Sequence, residues 1–193
     1  MKKKSMLTMV VSLALVGVVA VGSTLAYLTS TASTVNTFTV GDVGITQTET
    51  GNWESTPLVP GVAVTKQPVV TVAANSEASY VYAKIVYGSG LEALVDLDIN
   101  PAWTSLGNGV YQYTGSKANA TTHKIAKASD PTALEALFTT VTAKTADTHD
   151  QLHATGLDTK IRVASFAIQA EGITATDLTA QLTSWSNSVV TIS

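Results

Sequence analysis

No charged residue occurs between Lys4 and Asp42. Such a stretch constrains the chain twice, because it contains an export signal and then a segment in need of a partner. Lys2, Lys3 and Lys4 form a basic start, and residues 6–21 are an almost unbroken apolar run that includes Leu7, Val10, Val11, Leu13, Leu15 and Val16. Thr24-Leu25-Ala26 then places small residues at the −3 and −1 positions of a signal peptidase site. Left uncleaved, the same run would be an anchor, since about 20 apolar residues cross a bilayer. The Ser/Thr flank favours cleavage after Ala26, which would make Tyr27 the first residue of the mature chain.

The chain beyond the leader fits one domain of ordinary size. The formal net charge of −3 becomes −6 once Lys2, Lys3 and Lys4 leave. An acidic surface without basic patches argues against nucleic acid and anionic membrane as partners. Cysteine is absent, so there is neither a disulfide framework nor a thiolate metal site. Stability outside the cell has to come from packing and backbone pairing.

The pattern along the mature chain is mainly β. Residues 37–48 alternate, with Phe38 and Val40 on one face but Val43 and Ile45 on the other, which places a bulge at Gly41-Asp42. Residues 67–72 read as a strand, and Asn75-Ser76-Glu77 as a turn. Residues 79–87 form a further strand, with Val81, Ala83, Ile85 and Tyr87 inward and Tyr80, Tyr82 and Lys84 outward. Gly107-Asn108-Gly109 turns into a short strand over residues 110–113. Residues 159–170 are apolar on both faces, which predicts a central strand. Two short helices fit the connections. One starts at Asp130-Pro131 with Leu134, Leu137 and Phe138 on a face, the other at Thr174-x-x-Asp177 ahead of Leu178, Leu182 and Trp185. Residues 139–158 show no clear period and read as a mobile loop. These elements predict an antiparallel two-sheet β-sandwich.

Two blocks now point to a family: Thr24-Leu25-Ala26-Tyr27-Leu28-Thr29-Ser30-Thr31, then Val35-Asn36-Thr37-Phe38-Thr39-Val40-Gly41-Asp42-Val43. They closely resemble the start of the TasA/camelysin family of secreted fibre-forming proteins. Further islands are Lys66-Gln67-Pro68-Val69-Val70-Thr71-Val72, Tyr80-Val81-Tyr82-Ala83-Lys84, Asp98-Ile99-Asn100-Pro101-Ala102-Trp103 and Ala167-Ile168-Gln169-Ala170-Glu171-Gly172. The resemblance covers under half of the mature chain and keeps the family's order. It implies a jelly-roll-like sandwich, a leader removed by a dedicated signal peptidase, and assembly into biofilm-matrix fibres. The expected layout is a signal peptide over 1–26, an assembly segment over 27–37 and a sandwich domain over 38–193.

The assembly segment supports that implication physically. It is uncharged, lacks Pro and Gly, and is rich in Thr and Val, with Tyr27, Leu28, Thr29, Thr31, Val35 and Thr37 along it. A segment with strand propensity and no hairpin partner is an aggregation liability unless something accepts it. Donated to the sheet of the next subunit, it generates a filament, because donor and acceptor are different surfaces and the contact does not close. The plain alternative is a disordered Ser/Thr linker. Expected partners are further copies of the chain, signal peptidase and a minor anchor or initiator protein, at an extracellular or cell-surface location.

Two rival functions remain. His149-Asp150-Gln151-Leu152-His153 has the i, i+4 histidine spacing of a zinc peptidase, and camelysin-type members of the resembled family have been described as metalloproteases. Asp150 is one methylene shorter than the usual Glu, the flanks read as loop, and the third ligand is unspecified, His123 and Asp158 being merely available. The other rival is a monomeric surface adhesion or accessory module. Asp96-x-Asp98-x-Asn100 opens like a calcium loop, but Pro101 stands where that loop needs glycine. Tyr80, Tyr82, Tyr111 and Tyr113 could line a binding strip, although cross-strand aromatic pairing is the usual outcome. No cofactor is implied, and neither catalytic residues nor a committed metal site are assigned.

Overall fold

The computed structural model describes residues 42–53, 56–145 and 148–189, with backbone alone at residues 148 and 149. Alternation organises its two longest ladders. In β2 (Ala63–Val72), Val64, Lys66, Pro68, Val70 and Val72 all turn inward and are buried. β1 (Ile45–Gly51) runs antiparallel beside it, with Ile45 opposite Val72 and Gly51 opposite Lys66. β3 (Ser79–Tyr87) buries Val81, Ala83 and Ile85 and pairs along its whole length with β9 (Ile161–Gln169).

The shorter strands complete two antiparallel sheets. β4 (Val95–Leu97), β7 (Thr132–Ala133) and β8 (Thr140–Ala143) join the first, whose order is β1-β2-β8-β4 with β7 also beside β2. The second has the order β5-β6-β3-β9, where β5 (Trp103–Gly107) and β6 (Val110–Tyr113) form a hairpin. Its turn uses Gly107, Asn108 and Gly109, all at positive φ. Gly109 is tightly placed, since an added Cβ would lie 2.6 Å from the Ile85 carbonyl oxygen. Both inner faces meet in one core that includes Val70, Val81, Leu91, Trp103, Tyr113 and Phe138. The fold is therefore mainly β, as the alternation predicts, with short helices α1 (Thr148–Leu152) and α2 (Ala175–Ser188).

Three sequence expectations need correction. Residues 131–138 are not a helix but an extended segment laid along β2. Thr132 lies opposite Val72 and Thr140 opposite Thr65, so this segment uses eight steps where β2 uses seven. The extra residue makes a bulge. It brings Leu134, then Leu137 and Phe138, into the core and thereby imitates the spacing of a helical face. The bulge also explains how Pro68 is tolerated inside a sheet. Leu137 donates to the Pro68 carbonyl (3.0 Å), while the Leu137 carbonyl, which a proline cannot serve, accepts from the Asn100 N–H (2.9 Å).

Residues 139–158 are not one loop, for β8 sits between β2 and β4. Asp98 holds its start, accepting from the backbone N–H groups of Thr139 (2.8 Å) and Thr140 (2.6 Å) and from the Thr139 hydroxyl. β9 is not central either. It ends its sheet among the described residues, and its two apolar faces are met by the core on one side and by α2 on the other. Tyr82 lies on the outer face, as the alternation predicts, yet is buried there beneath the same helix. Phe166, directly opposite Tyr82 on β9, stacks on Trp185 of α2 with ring centroids 5.2 Å apart.

Candidate functional site

The predicted cleavage pair Ala26 and Tyr27, the assembly residues Leu28, Thr29, Thr31, Val35 and Thr37, and the expected bulge at Gly41 lie outside the described residues. Described backbone begins at Asp42, whose carbonyl accepts from the Glu77 N–H at 3.0 Å. Gly44 is clasped by Ser76, which accepts from its N–H (3.1 Å) and donates to its carbonyl (3.2 Å). The chain is thus pinned where it enters β1.

One histidine of the pair falls on a short helix where the flanks read as loop. His149 lies within α1, and His153 lies just past its end, exposed, with its N–H bonded to the Asp150 carbonyl at 3.3 Å. His123 belongs to the separate 119–125 turn, at φ 56°. Among the described residues no group of three or more His, Asp or Glu side chains could hold a metal ion. The calcium-like Asp98 is occupied in clamping β8. Burial alone would raise its carboxyl, but the hydrogen bonds from Thr139 and Thr140 prevail and hold it below the usual range. The tyrosines form no strip, because Tyr113 faces the core and Tyr82 faces α2.

The surface that stands out is the side of the sandwich flanked by β1 and β9. Among the described residues β1 ends the first sheet and β9 the second, and they meet where the Gln47 side-chain amide donates to the Val163 carbonyl at 2.9 Å. Beyond Gln47, towards Gly51, the sheets part around a cleft of about 580 Å³. Its floor is apolar, with Leu58, Leu91, Val141 and Ile161. Lys66 projects into it from a core-facing position of β2 and is only 4% exposed. The ammonium is paired with the Glu49 carboxylate and lies 3.9 Å from the centre of the Trp53 ring. The start of β9 borders the opposite wall, where Ile161 shares the inward face of Val163 and Lys160 and Arg162 are exposed.

Reading the sequence residue by residue missed this centre. The available signal was parity: Lys66 shares the inward register of Val64, Val70 and Val72, so a charge there is either buried or breaks the strand. Its partner could not be found the same way, because Glu49 reaches it across a ladder whose register the sequence does not state. Comparison with protein-family models, with curated proteins and with solved structures finds no match.

Proposed function

We propose that this chain is a secreted structural protein that polymerises into extracellular biofilm-matrix fibres, each subunit donating residues 27–37 to a sheet of the next. The observation that carries the reading is an asymmetry of edges. Among the described residues, the terminal strands on one side of the sandwich are β4, three residues long, and β5, five residues long with its register broken between Ser105 and Gly107. Short and bulged edges resist further pairing. On the other side β1 has seven residues and β9 nine, and among the described residues each pairs along one edge only. Long edges of this kind accept an added strand through main-chain hydrogen bonds.

The uncharged, Thr- and Val-rich segment 27–37 suits that acceptor, and a donor unlike its acceptor builds an open filament. The resemblance to the TasA/camelysin family supports the same reading, and the jelly-roll connectivity and dedicated signal peptidase of that family belong to the proposal. The chain's partners are then its own copies, the peptidase and a minor anchor or initiator.

Deletion of residues 27–36 tests it. The truncated mature protein should stay soluble and folded while losing the fibres seen by electron microscopy with the intact mature chain. Thr31→Pro should act alike, since proline removes a ladder donor that a disordered linker would not need. Fibres formed as readily by the truncated protein would sink the mechanism. Monomeric intact protein would favour the adhesion-module reading.

A further inference from the structure

Among the described residues, the Gln47 side chain bridges the seam between β1 and β9. Strand parity tells which backbone groups face that seam, because they alternate in direction along a ladder. Ala73 donates to the Gly44 carbonyl (2.8 Å) and Asn52 to the Thr65 carbonyl (3.1 Å), so the even-numbered residues of β1 face β2. The N–H and C=O groups of Ile45, Gln47 and Glu49 therefore point away from that sheet. Likewise Ala170 donates to the Ala78 carbonyl (2.7 Å) and Gly88 to the Lys160 carbonyl (2.8 Å), so the even-numbered residues of β9 face β3. Val163, Ser165 and Ala167 present their backbone groups to the outer edge. Of these, the Val163 carbonyl accepts from the Gln47 amide at 2.9 Å. Gln47 holds a half-buried, inward position of β1, two residues from Ile45, where packing alone favours an apolar side chain. A primary amide there donates an N–H to a strand edge, as the backbone of an added strand does.

We infer that Gln47 is a latch: in the free subunit its side-chain amide stands in for a donated strand on the β9 edge, and an incoming copy of segment 27–37 displaces it. Stacked sheets lie about 10 Å apart and bonded strands about 4.8 Å, so one strand laid in the seam reaches both edges. That strand pairs with β1 on one side and β9 on the other, and it needs the Val163 carbonyl. Until a donor arrives, the latch satisfies this part of the edge and makes a lone subunit a poorer template for unrelated strands. The inference rests on the strand-donation reading and adds to it the place of docking and the residue that guards it.

Critical concentrations for fibre formation by the full mature chain, measured by sedimentation, test the latch. Gln47→Met keeps the length of the side chain and removes the donor, and Gln47→Ala removes the donor with most of the side chain. Both should lower the critical concentration about fivefold, the worth of one hydrogen bond that the donor no longer has to break. Glu135→Gln, which loosens contacts with Trp103 of β5 and Tyr113 of β6 away from the seam, should leave it unchanged. An unaltered value in both Gln47 variants would overturn the latch and leave strand donation standing. So would a gain confined to Gln47→Met, which apolar contact explains, or an equal gain in Glu135→Gln, which general loosening explains. A raised value in both would show that Gln47 holds the donor rather than yielding to it, and would overturn the latch too. If the wild-type mature chain forms no sedimenting fibres at any concentration, strand donation itself falls, and the latch with it.

Discussion

At Glu135 one residue joins three stretches of chain. Its backbone carbonyl accepts from the Trp103 indole (2.9 Å), and its carboxylate accepts from the Ser116 hydroxyl (2.6 Å) and from Tyr113. Glu135 lies in the bulged stretch between Leu134 and Leu137, so these bonds fix the extra residue in place. The hydrogen bonds from Ser116 and Tyr113 hold its carboxyl below the usual value of 4.5, against the opposing effect of burial. Burial, helped by the bond to Glu135, pushes Tyr113 up to about 12, so it remains a neutral donor. A carboxyl with a depressed folded pKa stabilises the fold above its unfolded pKa, and that contribution is lost as pH falls through the folded value. Glu135→Gln should therefore lower stability at neutral pH by about 1 kcal/mol. Thermal midpoints should show the deficit shrinking towards about pH 3. An equal deficit at both pH values would mean that the ionised carboxylate has no special role.

Among the elements, α2 shows what local sequence can specify. Thr174 accepts from the Asp177 N–H (3.1 Å) and donates to the Asp177 carboxylate (2.6 Å), a reciprocal cap written within four residues. Leu178, Leu182 and Trp185 repeat at helical spacing and are half-buried against the second sheet. The far end has no basic residue in its last turn; Lys84, from β3, donates instead to the Ser186 carbonyl at 2.5 Å. No residue of α2 is fully buried, so independent opening of the helix is the expected behaviour. Thr174→Ala should cost about 1 kcal/mol and speed hydrogen exchange of the α2 amides. Exchange in β3 and β9 should be unaltered, and a matching acceleration there would show that helix and sheet unfold together. By contrast, the 131–138 segment looked helical because a bulge and a helical turn both bring residues i, i+3 and i+4 to one side. Its ladder acceptors, the Val70 and Pro68 carbonyls, lie on β2, more than sixty residues earlier, beyond the reach of any local pattern.

For the whole molecule, the distribution of edges decides how subunits could associate. The β4 and β5 side is short and interrupted, while the β1 and β9 side offers long strands on either flank of the cleft. If residues 27–37 complete that side in a neighbouring subunit, the truncated domain has a vacancy of defined chemistry. A synthetic peptide of residues 27–37 added to it should raise the thermal midpoint with peptide concentration, by about 2.7 kcal/mol of stability at a hundredfold excess over Kd. The truncated chain should also cap wild-type fibres, accepting a tail at one end without donating its own. An unchanged midpoint at every peptide concentration would exclude an empty acceptor.

Local alternation by itself determined the two sheets' principal strands. Val81, Ala83 and Ile85 face the core because side chains along a strand alternate, and no distant contact is required to know it. The Thr174 cap and the Gly107-Asn108-Gly109 turn were legible for the same reason, since each completes its chemistry within a few residues. Tertiary structure alone decided which strands stand at the edges. The apolar faces of β9 are covered by the core and by α2, and burial beneath a helix leaves the same composition as burial beneath a sheet. It also decided that Lys66, Glu49, Trp53 and Ile161 share one cleft. Their meeting depends on the β1–β2 register and on β9 lying across from β1, and strand order is a property of the closed chain rather than of any segment within it.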